Sequence, residues 1–220
     1  MPYLIDQAVD SPTIDAIAEQ LSKEAALEDG KRTAAGLARK VKENQQAKSE
    51  LAAVQAAHQL LEQKLRKNKV FKAAAIPLRF AKIILSRYEP GMKYGAHIDD
   101  AFIRGIRTDL SFTLFLNEPN EYEGGELLIS RPDGDEEVKA PKGSLYLYPS
   151  QSIHQVKPVT QGVRLVAVGW VQSRIRMEEQ REVLFDLACA IDELATDPAK
   201  AQLRLRLLRS RNSLLRLWGD

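Results

Sequence analysis

Cysteine occurs once in these 220 residues, at Cys189. A single thiol closes no intramolecular disulfide and builds no cysteine-based structural zinc site. Histidine is nearly as scarce, with only His58, His97 and His154. No apolar run approaches about 18 residues, the length a transmembrane helix needs, so no membrane span is expected. Excess charge of one sign is also missing: 32 Lys+Arg against 30 Asp+Glu leave +2. That balance gives no reason to expect nucleic acid or an anionic membrane as a partner. The opening Met-Pro-Tyr-Leu-Ile-Asp has an acid at Asp6 and no basic start before an apolar stretch, which reads as no signal peptide. A soluble protein of the reducing cytoplasm is the expectation.

The remaining composition, 44% hydrophobic and 28% charged, is that of a globular chain and excludes disordered, collagen-like and mucin-like classes. The length suits one compact domain with a small appendage. Ser11-Pro12 reads as a helix start, with Ser11 as N-cap and Pro12 as the first helical residue. Ile14, Ile17, Ala18 and Leu21 follow at helical spacing, and Gly30 closes the region. Residues 33–46 fit helix or loop equally. Leu51, Val54, His58, Leu61 and Leu65 mark a second helix that ends near Asn68.

Beyond Pro77 the texture becomes strand-like. Residues 79–88 centre on Ile83, Ile84 and Leu85, and Leu110, Phe112, Leu114 and Leu116 alternate onto one face. Further segments at 126–130, 137–140, 144–148 and 162–171 complete roughly eight short strands at about ten-residue spacing, the pattern of a jelly roll. Helical period returns near Arg176, with Val183, Leu184, Leu187, Ala188, Ile191 and Leu194 on one face. Asp197-Pro198 breaks it, and a last helix over 199–218 carries Leu203, Leu207, Leu208, Leu214 and Leu215 inward and a basic face outward. The expected class is α+β: a double-stranded β-helix (jelly roll) core over 78–174, an N-terminal helical support over 1–77 and a C-terminal helical extension over 175–220. The extension leaves homo-oligomerisation open.

His97 lies in Tyr-Gly-Ala-His-Ile-Asp-Asp and His154 in Pro-Ser-Gln-Ser-Ile-His-Gln-Val, whereas His58 falls inside the apolar pattern of a helix and reads as packing. His97 and Asp99 are two apart, so on extended chain both side chains point the same way. An antiparallel sheet that returns His154 to them completes two histidines and one carboxylate. That set fills one face of an octahedral metal and leaves the rest open, as in non-haem Fe(II) oxygenases. Read alone, His-x-Asp fits a surface turn equally well. Arg164 adds context: it shares a strand face with Val166, Val168 and Trp170. If that face is interior, its guanidinium needs an anion, and a carboxylate matches the planar fork with two parallel hydrogen bonds.

The runs Arg-Tyr-Glu-Pro-Gly-Met-Lys-Tyr-Gly-Ala-His-Ile-Asp at 87–99, Arg-Thr-Asp-Leu-Ser-Phe-Thr-Leu-Phe-Leu-Asn at 107–117, Tyr-Glu-Gly-Gly-Glu-Leu at 122–127 and Tyr-Pro-Ser-Gln-Ser-Ile-His-Gln-Val-Lys-Pro at 148–158 resemble the prolyl-4-hydroxylase-like Fe(II)/2-oxoglutarate dioxygenases, and among them the bacterial PKHD-type hydroxylases. The resemblance implies His97, Asp99 and His154 as Fe(II) ligands and Arg164 as partner of the distal carboxylate of 2-oxoglutarate. It implies Tyr88 as a hydrogen-bonding tyrosine for the same co-substrate, against the alternative of a core tyrosine. It further implies O2 as co-reactant, L-ascorbate as an optional reductant, and C–H hydroxylation of a prolyl- or lysyl-like side chain or an amino-acid-derived molecule. Two other classes stand beside it: a cupin-like metal enzyme that does not use 2-oxoglutarate, and a non-catalytic binding protein.

Overall fold

The computed structural model describes residues 2–219. The chain opens with strand β1 (Tyr3–Ile5), helix α1 (Ser11–Ala18), strand β2 (Leu27–Asp29), helix α2 (Gly36–Lys40) and strands β3 (Lys42–Glu43) and β4 (Gln45–Ala47). Helices α3 (Ala52–Lys67) and α4 (Lys69–Ala75) lead into the long strand β5 (Pro77–Tyr88). Then come β6 (Lys93–His97), β7 (Phe102–Ile103), β8 (Ile106–Arg107), β9 (Leu110–Phe115), β10 (Tyr122–Gly124) and β11 (Leu127–Ile129). Strands β12 (Glu136–Val138), β13 (Leu145–Pro149), β14 (His154–Val156), β15 (Val159–Gly162) and β16 (Arg164–Ser173) precede helices α5 (Glu178–Glu193) and α6 (Ala201–Trp218).

The helix ends follow from local chemistry. Asp10, not Ser11, caps α1: its carboxylate accepts from the Thr13 backbone N–H at 3.1 Å and from the Thr13 hydroxyl at 2.7 Å, while Pro12 sits in the first turn. Asn68 closes α3 and caps α4 through Phe71 N–H at 2.9 Å, so a second helix begins where one was expected to end. Residues 33–46 divide among a 3-10 turn, α2 and short strands, each too brief to carry a period. The expected strand at 162–171 is β16, which starts at Arg164 and runs on to Ser173, whereas Gly162 ends the separate strand β15.

Two antiparallel sheets make the jelly roll. The larger has the order β1-β13-β9-β16-β5-β4-β2 and the smaller β12-β11-β14-β6-β3. The larger sheet is buried on both faces. Its outer face, with Leu85, Phe112, Leu114 and Leu147, packs under Ile14, Ile17, Leu61, Leu65 and Phe71 of the N-terminal helices. Its inner face, with Tyr88, Phe115, Tyr148 and Val166, meets Leu127, Ile129 and Val156 of the smaller sheet. The alternation along β9 is therefore real, but the positions between the leucines are not solvated. Ser111 and Thr113 are buried and point between the sheets.

The C-terminal helices pack on their own chain. Leu184 joins Ile76 and Ile175 in a small cluster that Leu214, Leu215 and Trp218 cover. Arg181 is buried beside it and donates to the carbonyls of Ile175 and Arg176 at 2.9 and 2.8 Å. Val183 and Leu203, expected inside, are exposed, because the inward stripe of α5 runs through Arg181, Leu184 and Ile191 and that of α6 through its second half. Truncation after Arg174 is expected to uncover Ile76 and to produce aggregation with a lower melting temperature in thermal denaturation. Among the described residues, no helix is long and apolar enough to cross a membrane.

Candidate active site between the two sheets

A cavity of about 270 Å³ opens between the sheets. The larger sheet contributes Tyr88, Ser111 and Arg164 to its wall, and the smaller contributes Tyr94, His97 and His154. Backbone pairing explains the meeting of distant residues: β14 lies antiparallel to β6 with His154 opposite His97. Asp99 follows two residues beyond His97, just past the strand end, where extended chain keeps the two side chains on one side. One ligand atom from each of His97, Asp99 and His154 can be chosen so that all lie within 4.8 Å of one another, a spacing suited to one metal ion.

Each of the three is oriented by a neighbour. The Nδ1 of His97 lies 2.8 Å from the Gly95 carbonyl, and the Nδ1 of His154 lies 2.9 Å from the Ser152 carbonyl. With the proton on Nδ1, both rings present the Nε2 lone pair to the cavity. The Ser111 hydroxyl donates to Asp99 Oδ2 at 2.6 Å and lies 2.8 Å from the Ser150 hydroxyl. Tyr94 stacks on His97 with ring centroids 3.6 Å apart, and Tyr148 meets His154 edge-on at 5.2 Å. Burial and the adjacent His154 push the His97 pKa down to about 4, so the ring is a neutral donor at neutral pH. Ser111, Ser150 and the two carbonyl partners were not singled out in the sequence, since a serine on an alternating strand looks the same whether it faces water or a carboxylate.

Arg164 stands at the start of β16, opposite Tyr88 on β5. It is 1% exposed, and its Nε, Nη1 and Nη2 are all buried without a hydrogen-bond partner. The guanidinium carbon lies 5.0 Å from the Tyr88 ring centroid and 6.0 Å from that of Phe115. The Tyr122 hydroxyl is also buried without a partner and feels the Arg164 charge. Room for the arginine depends on Gly125, whose φ is +66° and where a methyl group would lie 2.8 Å from Arg164 Cδ. A buried cation with three idle donors is costly unless an anion completes it. The cavity thus joins three side chains whose ligand atoms converge as a metal ion would need to a buried cation with no counter-ion.

His58 lies outside this group. It is half-buried on α3 with Nε2 unpartnered, and burial together with the Lys82 and Arg104 charges pushes its pKa down to about 4. The unfolded chain, with an ordinary value of 6.5, takes up protons first as the solution is acidified. Stability from His58 and His97 is therefore present above pH 6.5 and lost towards pH 4. Melting of the metal-free protein is expected to shift downward across that window, and His58→Gln to flatten the slope.

Comparison with known proteins agrees with this geometry. Residues 83–172 match the 2OG-Fe(II) oxygenase superfamily. A PKHD-type hydroxylase of Parvibaculum lavamentivorans is 51% identical over 195 residues, covering 89% of this chain and 88% of that protein. A PKHD-type hydroxylase of Picosynechococcus is 44% identical over 220 residues, the whole of both chains. Among solved structures, a prolyl hydroxylase of Trichoplax adhaerens, in complex with a hypoxia inducible factor peptide fragment, superimposes with a TM-score of 0.59 at 15% identity, covering 83% of this chain and 86% of that one. A Pseudomonas putida prolyl-4-hydroxylase gives 0.54 at 22% identity, covering 79% and 92%. These two share the fold.

Proposed function

This chain belongs to the PKHD-type hydroxylases of the 2OG-Fe(II) oxygenase superfamily, and from that premise we propose that His97, Asp99 and His154 hold its Fe(II) while Arg164 holds its co-substrate. The enzyme is an Fe(II)/2-oxoglutarate-dependent dioxygenase. The observation that carries the residue assignment is the fully buried, unpartnered Arg164 guanidinium in the same cavity as the three converging ligands. When bound, iron and 2-oxoglutarate supply the oxidising chemistry: O2 is reduced, 2-oxoglutarate leaves as succinate and CO2, and one oxygen atom enters a substrate C–H bond.

The residues of the chain do the positioning. His97 and His154 give Nε2 donors in the tautomer that their carbonyl partners hold, and Ser111 turns Asp99 towards the same point. The Arg164 fork grips the distal carboxylate of 2-oxoglutarate with parallel hydrogen bonds. Tyr88, buried against the guanidinium, and Tyr122, with its idle hydroxyl, border that carboxylate. Tyr88 serves as a hydrogen-bonding partner for the same co-substrate, and the apolar Val168 and Leu127 keep the cavity dry.

The substrate carbon belongs to a prolyl- or lysyl-like side chain or an amino-acid-derived molecule, and L-ascorbate serves as an optional reductant. The near-neutral charge supports an enzyme without a nucleic-acid or membrane partner, and the single cysteine supports a reducing, cytoplasmic setting. Leu203, Leu205 and Leu217, exposed on α6, support pairing with a second copy, which sedimentation would measure. The central test is anaerobic loading with Fe(II) and 2-oxoglutarate, then admission of O2. Succinate and CO2 are expected in equal amounts. Consumption of O2 without succinate would put the cupin-like reading first.

A further inference from the structure

The cavity has a second end, and its chemistry differs from that of the Arg164 end. On β16 the inward face runs Arg164, Val166, Val168, Trp170, so Trp170 lies about 20 Å from Arg164 along the strand. Lys82 of β5 is paired with Trp170 and lines the cavity there. Lys42 of β3 reaches the same cavity from the smaller sheet. Arg104 stands over it from the two-residue turn between β7 and β8, where Arg104 and Gly105 have φ of +52° and +74°. A turn of that kind favours Asn or Gly at the first position, so an arginine held in a left-handed conformation there is a costly choice.

Three cations from three separate elements therefore face one space, and none of the described carboxylates forms an ion pair with any of them. Lys42 is 5% exposed. Its Nζ donates to the Thr33 hydroxyl at 3.1 Å, and that hydroxyl donates in turn to Gln46 Oε1 at 2.6 Å. The same ammonium lies 4.9 Å from the Tyr94 ring centroid, and Tyr94 stacks on His97, so the charge borders the metal-binding group. The acids nearby are engaged elsewhere or lie outside: Glu28 pairs with Arg32 at 2.7 Å, Asp29 accepts from Lys31 N–H at 2.8 Å, Asp99 accepts from Ser111, and Asp100 is exposed at the rim. Burial and then Lys82 lower the Lys42 pKa to about 8, against the smaller opposing pull of Asp99 and Asp29, and burial and then Arg104 lower that of Lys82, against Glu28.

We propose that the primary substrate is an anion, and that Lys82 and Arg104 bind its carboxylate or phosphate group at the cavity end opposite Arg164, with Lys42 beside the metal-binding group adding a third positive charge to the same cavity. This rests on the assignment of Arg164 to 2-oxoglutarate, because only then is the second cationic end free for a different molecule. The arrangement selects by charge. A free amino-acid-derived acid or a phosphorylated metabolite is drawn in, whereas a lysyl ammonium meets three like charges. Trp170, whose indole Nε1 is buried without a partner, adds a donor beside Lys82.

The test uses whole protein loaded anaerobically with Fe(II) and saturating 2-oxoglutarate, titrated calorimetrically with three probes: sulfate for a phosphate-like dianion, acetate for a carboxylate, and L-lysinamide for a cation. Sulfate or acetate is expected to bind, the tighter of the two naming the group, and L-lysinamide not to. Lys82→Gln and Arg104→Gln are each expected to weaken the anion about tenfold or more, the scale of one lost charged hydrogen bond. Neither side chain makes a hydrogen bond among the described residues, so these variants test the idea even if Lys42→Met disturbs the Thr33–Gln46 chain. Retained 2-oxoglutarate binding identifies folded variants. Absence of anion binding to wild type, equal affinity in the two Gln variants, or preference for L-lysinamide would overturn the proposal. Failure of wild type to bind 2-oxoglutarate is a different result and would strike the Arg164 assignment instead.

Discussion

Alanine at His97, Asp99 or His154 is expected to end succinate formation and to strip Fe(II) from the protein. Three ligands on one face are the smallest set that holds the ion while leaving positions for co-substrate and O2, so no member is spare. The environment sharpens the expectation. His97 and His154 are set by carbonyls at 2.8 and 2.9 Å, and nothing else among the described residues gathers three ligating side chains. The loss should exceed that from Ser111→Ala, which leaves Asp99 in place but removes its 2.6 Å hydrogen bond and should cost roughly 10–100-fold in iron affinity or rate. Anaerobic iron titration and succinate release measure the two effects separately. Wild-type iron content together with wild-type turnover in any of the three alanine variants would refute the assignment.

Arg164→Ala should leave iron bound and raise the 2-oxoglutarate requirement steeply. Removing one partner of a buried charged pair typically costs about 3–5 kcal/mol, which is on the order of a hundredfold or more in affinity. Arg164→Lys should recover only part of that, since an ammonium cannot form the two-pronged bond and does not fill the space between Tyr88 and Phe115. The absorption band that 2-oxoglutarate produces on chelating Fe(II) gives the affinity directly. An unchanged affinity would mean that another residue holds the carboxylate, with Tyr122 the first to examine.

Much of this molecule was legible in one dimension. The scarcity of histidine left few candidates for a metal ligand, and the two-residue spacing of His97 and Asp99 put both on one side of extended chain. The period of two along β16 placed Arg164, Val166, Val168 and Trp170 on a common face, and that face lines the inter-sheet space. Helix periods located α1, α3, α5 and α6, because an amphipathic stripe repeated over several turns is a strong local signal.

Other features depended on residues far apart in the chain. Periodicity says that Ser111 and Thr113 face away from Leu110 and Phe112, but only the second sheet makes that far side an interior. The ring of partners around His97, Asp99 and His154, formed by Gly95, Ser111 and Ser152, consists of residue types common on any surface, and their contacts come from strand register. The cavity joins the charges of Lys42, Lys82 and Arg104 from three elements, with Lys42 in a stretch that carries no readable period. Local sequence determines which faces a segment has, since φ and ψ preferences and side-chain alternation act over a few residues. Which faces meet, and so which charges lack a counter-ion, is decided when the two sheets close over one another and exclude water.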